Sequence, residues 1–397
     1  MADRPLLPDL DRAVYLDHAA TTPLDPRVAQ VLADSARDLF GNPSSLHGPG
    51  RRAREAIDGA RAQVARLVGS EPDEVVFTAS GTEADNLALL GVMAALGPGS
   101  HHVITSVIEH PAVLAPLAFL ERQGVRVTRL SPGADGVIDP DALARAFTPQ
   151  TRLVSVMSAN NVTGVIQPLA DLAALTRDHG ALFHTDAVQA VGKIPLDLGT
   201  VKVDLLSLSG HKLHGPKGVG ALIIRRGVKV HPLVLGGGQE RGLRSATENT
   251  PGLVALGAAA EIAREEGAGE AVRLVALRER LLDGLSAAVP TVYVIGDRWR
   301  RLPGHLCVGF AGQEGEAIRV LLALDEAGIA ASSGSACSAH RAAEPSAVLT
   351  AMGFDPIRAR GALRLTLGRF TTDADIDRLL AVLPGIVRAL RPLTSHA

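Results

Sequence analysis

Between Glu74 and Ile224 the chain alternates short, almost unbroken apolar runs with segments of helical period. The runs are Glu74 to Phe77 (EVVF), His102 to Ile104 (HVI), Val125 to Leu130 (VRVTRL), Leu153 to Met157 (LVSVM), Ala181 to His184 (ALFH), Val203 to Leu208 (VDLLSL) and Gly220 to Ile224 (GALII). Helix-period stretches at Glu83 to Leu96, Pro111 to Arg122, Pro140 to Phe147 and Pro168 to His179 lie between several of them. A strand that is apolar on both faces must be covered on both, which points to an α/β domain around a mostly parallel sheet. From about Thr250 the pattern changes. A long helical stretch, Leu253 to Ala287, leads into short strands at Thr291 to Ile295 and Leu306 to Phe310. A helix (Gly315 to Ala327), a strand (Ala362 to Leu367) and a last helix from Thr372 follow. This reads as a second, smaller α+β unit. The expected division is 15–255 for the large domain, with 1–14 and 256–397 forming the small one.

Composition narrows the function. The 397 residues fit two or three domains, and Lys+Arg 40 against Asp+Glu 42 leaves a net charge of −2. No global field draws in DNA or an anionic membrane, and 3% aromatics offer little for base stacking. The helix from Arg51 to Leu67 carries five arginines, read as a solvated face with Glu55 and Asp58 interleaved. The longest apolar run, Leu87 to Leu96, is about half of the ~20 residues that span a bilayer. The first fourteen residues carry acids and prolines rather than a basic stretch and an apolar core, so a cytoplasmic location is expected. Two cysteines, Cys307 and Cys337, exclude a disulfide framework and any multi-thiolate metal cluster, and no resident metal is expected.

Five segments carry chemistry. Asp204 to Gly220 (DLLSLSGHKLHGPKGVG) ends an apolar strand in Ser209-Gly210-His211-Lys212, then enters a Gly/Pro loop. A lysine after a strand is often a solvated one. At the carboxyl edge of an α/β sheet, however, a desolvated lysine serves an aldehyde cofactor. In Phe183 to Gly192 (FHTDAVQAVG), Asp186 is either a helix N-cap or the acid beside a pyridine nitrogen. Phe77 to Leu87 (FTASGTEADNL) has the strand–turn–helix form of a phosphate cradle, although Thr82 with Asp85 also reads as a simple capping box. In Ala331 to Ser338 (ASSGSACS), Cys337 lies in a Ser/Gly loop and is read as the nucleophile. Cys307, inside the apolar HLCVGF, is read as structural. Arg364 falls on the small-residue face of ALRLTL, suited either to gripping a carboxylate or to an edge strand in solvent.

Taken in order, YLDHAATTP, GNPSSLHGPGR, FTASGTEADN, EHPAV, ANNVTG, FHTDAVQAVGK, SLSGHKLHGPKG, GGGQERGLRSATEN, SSGSACS and LRLTLGRFTT give the sequence an identifiable pattern from Tyr15 to about Ile376. The chain resembles the pyridoxal-phosphate-dependent cysteine desulfurases, the NifS/IscS-like group of class V aminotransferase-type enzymes. The resemblance implies an aspartate-aminotransferase-type (fold type I) homodimer that binds pyridoxal 5'-phosphate. It also implies that sulfur passes from L-cysteine to a persulfide on Cys337, leaving L-alanine. The sulfur then goes to an acceptor or scaffold protein for iron–sulfur cluster assembly or tRNA thiolation, with Cys337 able to ligate an acceptor cluster transiently.

The same resemblance implies the residue roles. Lys212 joins the cofactor aldehyde, His110 stacks on the ring and moves protons, and Asp186 pairs with the ring nitrogen. Gln189 and Asn161 contact the ring hydroxyl or the substrate. Gly81, Thr82, Ser209 and His211 hold the phosphate, with Thr247 reaching in from the partner subunit, and Arg364 with Asn161 binds the substrate carboxylate. Selenocysteine lyase or cysteine sulfinate desulfinase activity is the alternative within the class, and a non-catalytic sulfur-carrier scaffold the alternative outside it. Three places depart from the usual pattern: Val162 stands where a glutamate is common, Ala246 where a glycine is frequent, and Thr78-Ala79-Ser80-Gly81-Thr82 varies the usual Ser-Gly-Gly-Thr.

Overall fold

The computed structural model describes residues 13–333 and 344–390. Among these, thirteen strands, numbered in chain order, form three sheets. β1 (Val14–Tyr15) pairs in parallel with β11 (Ile329–Ala330). The main sheet holds β2 (Val75–Thr78), β3 (His102–Ser106), β4 (Arg126–Leu130), β5 (Thr151–Ser155), β6 (Leu182–Asp186), β7 (Leu205–Ser209) and β8 (Gly220–Ile224), in the order β2-β8-β7-β6-β5-β3-β4. Every pairing is parallel except those of β8, which runs against both β2 and β7. The third sheet is antiparallel, ordered β12 (Ser332–Ser333), β13 (Leu363–Thr366), β10 (His305–Phe310), β9 (Val292–Val294).

Side-chain alternation divides the main sheet between two layers. Phe77, Ile104, Val154, Phe183, Leu206 and Ile223 pack into one core with Ile57 and Val64 of the helix Gly48–Val68. Their chain neighbours Val76, Val103, Leu153, Leu205 and Leu222 face the other way, onto Leu87 and Leu117 of the helices Gly81–Leu96 and Pro111–Arg122. The two-sided burial expected of the apolar runs is therefore met by helices on both faces, except at the edge strand β4, where Arg126 and Arg129 are exposed.

The 39-residue helix Thr250–Ala288 connects this layer to the rest of the molecule. Leu253, Leu256 and Ala259 belong to the large core, whereas Leu277, Leu281 and Leu285 join Val308, Leu365 and Leu379 in a second core. Small residues let it lie close to its neighbour. A Cβ added at Gly257 would sit 2.7 Å from Ala60 Cα, so a larger residue there pushes the two helices apart. Midway along it, Glu266 takes Arg27 Nη1 at 2.6 Å and also pairs with Arg369.

Two expectations need correction. The arginine-rich helix is not a wholly solvated face: Arg61 is buried, and its guanidinium makes a two-pronged pair with Glu240, both contacts at 2.7 Å. Arg364 is not on an edge strand in water either, because β13 lies between β12 and β10 and the side chain is 1% exposed. No described helix is long and apolar enough to cross a membrane.

Candidate active site

The chain places its chemistry where the parallel strands end. Beyond the carboxyl ends of β2, β3, β5, β6 and β7 lies a cavity of about 340 Å³. Gly81, Thr82, His110, Asn161, Asp186, Gln189, Ser209, His211, Lys212 and Arg364 all line it. Ten of the residues singled out from sequence thus meet in one crevice, the usual ligand position in an open α/β sheet.

One helix N-terminus in the lining forms an anion cradle. Ser80 caps the helix Gly81–Leu96 by accepting from Glu83 N at 3.1 Å, and the Glu83 carboxylate accepts from Ala79 N at 3.0 Å. The cap is therefore Ser80, not the Thr82–Asp85 capping box that the sequence also allowed. It leaves the N–H groups of Gly81 and Thr82 without an acceptor inside the helix, beside the positive end of its dipole. Gly81 admits no side chain, since a Cβ there would meet Val188 Cγ2 at 2.7 Å.

The floor is acidic and dry. Asp186, at the end of β6, accepts from Val188 N at 2.9 Å; burial and the nearby Asp85 carboxylate push its carboxyl up to about 7. The hydrogen bond to Val188 N has the local capping geometry that sequence allowed, yet no helix follows. Burial pushes Asp85 up to about 7 and Glu109 up to about 8. Asp85 Oδ1 is buried with no hydrogen-bond partner and stands 3.5 Å from His184 Nε2, whose ring burial holds down to about 4, in the neutral form. Asp85 and Asp186 line the cavity as buried carboxyls, and Glu109 is joined to the lining through Met157 N, which donates to its Oε1 at 3.1 Å. A protonated pyridine nitrogen suits the buried Asp186 carboxyl, and with the Gly81–Thr82 cradle lining the same cavity the residues present fit pyridoxal phosphate. Among the described residues no group of three or more His, Cys, Asp or Glu side chains could hold a metal.

The walls supply amines and an imidazole. Lys212 sits in the one-turn helix Gly210–Lys212 that follows β7. Its Nζ donates to the carbonyls of Ala19 and, at 2.7 Å, of Ala20. Gln189 Nε2 donates to the same Ala19 oxygen at 2.9 Å, and its Oε1 accepts from Lys193 Nζ at 3.1 Å. Burial, with the Lys212 and Arg364 charges, pushes Lys193 down to about 7. His110 caps the helix Pro111–Arg122 by accepting at Nδ1 from Ala112 N at 3.1 Å, so the neutral ring carries its proton on Nε2. Burial and the neighbouring Lys212 and Lys217 hold His211 near 4; its Nδ1 lies 3.0 Å from Thr21 Oγ1. Arg364 Nη1 donates to the Asn161 carbonyl at 2.9 Å, and Nη2 lies 2.8 Å from Asp17 Oδ1.

The remaining candidates lie elsewhere. Thr247 is exposed and outside the cavity of the single chain. Its neighbour Ala246 has φ = +128°, a region costly for any residue with a Cβ. Ala246→Gly relieves about 1–3 kcal/mol of strain against about 0.5–1 kcal/mol of added chain entropy, so a melting rise of about 1–2 °C is expected by calorimetry. Val162, in place of a glutamate, is buried in an apolar cluster with Ile295, Cys307, Leu349 and Met352. Cys307 is fully buried there, and burial pushes its thiol up to about 11, the inert state expected of it. Cys337 lies outside the described residues. The strand leading toward it is described: Ser332 of β12 pairs with Arg364 of β13, so the chain departs for Cys337 from beside the cavity wall.

Sequence reading missed Asp85 in the lining of this site, and Glu109, Lys193 and Asp17, which bond to the lining residues Met157, Gln189 and Arg364. Three of them stood inside quoted blocks (TEADN, EHPAV, AVQAVGK), and Asp17 in YLDHAATTP, but only the fold gives them neighbours.

Comparison with known proteins agrees with this geometry. Residues 14–379 match the family profile "Aminotransferase class-V", and the chain belongs to that family, whose members depend on pyridoxal phosphate. It is 50% identical over 384 residues to a cysteine desulfurase of Gluconacetobacter diazotrophicus, covering 96% of this chain and 95% of that one. To a cysteine desulfurase of Cereibacter sphaeroides it is 52% identical over 383 residues, covering 96% and 97%. A solved "NifS-like protein" superimposes with a TM-score of 0.89 at 38% identity, over 95% of this chain and all of the other. Within the family the chain falls in the NifS/IscS-like cysteine desulfurase group.

Proposed function

We propose that the protein is a pyridoxal-phosphate-dependent cysteine desulfurase that converts L-cysteine to L-alanine and leaves the sulfur as a persulfide on Cys337. The observation that carries this is the convergence of Lys212, buried Asp186, the Gly81–Thr82 cradle and Arg364 on one cavity. Gly81, Thr82, Ser209 and His211 would hold the cofactor phosphate, Asp186 its ring nitrogen, Gln189 its hydroxyl, and His110 the ring face. The bound cofactor supplies an aldehyde that condenses with amines and an electron-poor ring that stabilises negative charge at the substrate α-carbon.

The chain's own residues do the rest. Lys212 Nζ, freed from the Ala19 and Ala20 carbonyls, takes the α-proton of the substrate and returns a proton later. His110, which lines the same cavity, exchanges a proton with the substrate thiol. Arg364 holds the α-carboxylate, with Asn161 alongside, so the Cα–H bond is kept in one orientation. The Cys337 thiolate then attacks the substrate sulfur: an S–S bond forms as the Cβ–S bond breaks, and Cβ takes up a proton. Atoms balance as L-cysteine plus enzyme thiol giving L-alanine plus enzyme persulfide.

The family arrangement as a homodimer completes the reading, with Thr247 reaching the partner's cofactor phosphate. Leu46 at 90% and Leu235 at 79% exposure support it, as large apolar side chains that a lone chain leaves in water. A scaffold or carrier protein of the cytoplasm would then take the sulfur from Cys337. The decisive experiment mixes purified protein with L-cysteine and maps a gain of about 32 Da, one sulfur atom, to Cys337 by mass spectrometry. Alanine formation should collapse in Cys337→Ala. Near-full turnover of L-cysteine by that variant would refute the persulfide step.

A further inference from the structure

The guanidinium that should receive the substrate carboxylate already holds a carboxylate. Arg364 is 1% exposed; Nη1 is spent on the Asn161 carbonyl, Nη2 lies 2.8 Å from Asp17 Oδ1, and Nε is buried without a partner. The Asp17 backbone is fixed against the same strand. Asp17 bridges Thr366 in parallel register, His18 N donates to Thr366 O at 3.3 Å, and Ala19 N donates to Thr366 Oγ1 at 2.9 Å. Tyr15 OH donates to the Asp17 carbonyl at 3.1 Å.

The pair is asymmetric in its solvation. The Arg364 side chain is 2% exposed, the Asp17 side chain 20%. A buried cation stripped of its counter-anion is strongly unfavourable, so Arg364 needs a carboxylate at every stage. A partly wet carboxylate regains water when it lets go, so Asp17 is the cheap partner to move. We propose that Asp17 is an exchangeable counter-ion, occupying Arg364 while the substrate is absent and yielding the guanidinium to the substrate α-carboxylate.

Substrate binding is then a swap of one carboxylate for another, with no moment of bare buried charge. The swap also makes Asp17 a filter. A tethered carboxylate competes at high local concentration, so a simple anion gains little by displacing it. An amino acid, anchored in addition through its amine beside Lys212, wins. Asp17 acts through Arg364 and is a positioning residue. This inference rests on Arg364 being the carboxylate-binding group of the proposed function.

The test uses propionate, a carboxylate with no amine to engage the cofactor, titrated calorimetrically into full-length cofactor-loaded protein. Asp17→Asn should bind propionate roughly tenfold more tightly than the parent, the size expected when a charge-assisted competitor is removed. Asp17→Ser should do the same, which covers a failure of Asp17→Asn to fold. A gain of affinity is something that structural damage does not produce. Arg364→Met should lose propionate binding. Unchanged or weaker binding in both Asp17 variants, with Arg364→Met still defective, overturns the counter-ion and leaves the Arg364 assignment standing. Parent-like binding by Arg364→Met overturns that assignment itself.

Discussion

Replacing Lys212 with alanine should slow L-cysteine turnover by roughly 10³–10⁴-fold and abolish the visible absorption of the purified protein. Both losses have one origin. Lys212 Nζ is the amine that the one-turn helix after β7 carries into the cavity, and it is held there by two backbone carbonyls. Without it there is no covalent anchor for the aldehyde and no base at the α-carbon. The second amine nearby, Lys193 Nζ, is engaged by Gln189 Oε1 and is not placed to substitute. The fold should survive, because Ala19 O keeps its bond from Gln189 Nε2. Absorbance spectra and alanine quantification report on the two losses separately. A Lys212→Ala protein that stays yellow or turns over at the parental rate would sink the assignment.

Asp186→Asn should cost roughly 10²–10³-fold in activity, the usual scale for removing one preorganised electrostatic partner. The same change should stabilise the cofactor-free protein at alkaline pH. Burial and Asp85 raise the Asp186 carboxyl from 3.8 to about 7. Between about pH 4 and 7 the folded, cofactor-free chain therefore binds a proton that the unfolded chain has released, and stability falls as pH rises through that window. Above it the full penalty is present. Asparagine carries no such penalty, so cofactor-free Asp186→Asn should melt above the cofactor-free parent at pH 8, with the gap narrowing toward pH 5. Equal melting temperatures at pH 8 would show that Asp186 is not held in a dry, electronegative floor. Loss of activity with gain of stability marks a group kept for chemistry at the expense of the fold.

Much of this was legible in the sequence because the relevant physics is local. The runs between turn signals coincide with β2 through β8 to within a few residues, since a strand buried on both faces leaves no other pattern. The edge strand β4, with Arg126 and Arg129 exposed, is the exception and is marked only by its flanking turns. The positions of Lys212 and Asp186 followed from the same logic, as polar residues at the ends of such runs. What stayed hidden depends on pairing. The antiparallel direction of β8 is not encoded in GALII, and whether Arg364 was buried depended on β12 and β10 lying on either side of its strand. Asp17 meets Arg364 across 347 residues of chain, and Arg61 meets Glu240 across 179. No periodicity signals contacts of that span. The carboxyl cluster likewise comes from separate parts of the chain: Asp85 from the helix Gly81–Leu96, Glu109 from the turn after β3, and Asp186 from the end of β6.

The helix Thr250–Ala288 has a mechanical consequence. At about 1.5 Å per residue it is a shaft of roughly 58 Å, embedded in one core at its start and in the other toward its end. Lys212 follows a strand of the large sheet and Arg364 lies on a strand of the small one, and this single helix is shared by the cores beneath both. Neither half can melt without stripping apolar surface from the shaft, so heating should give one calorimetric peak rather than two.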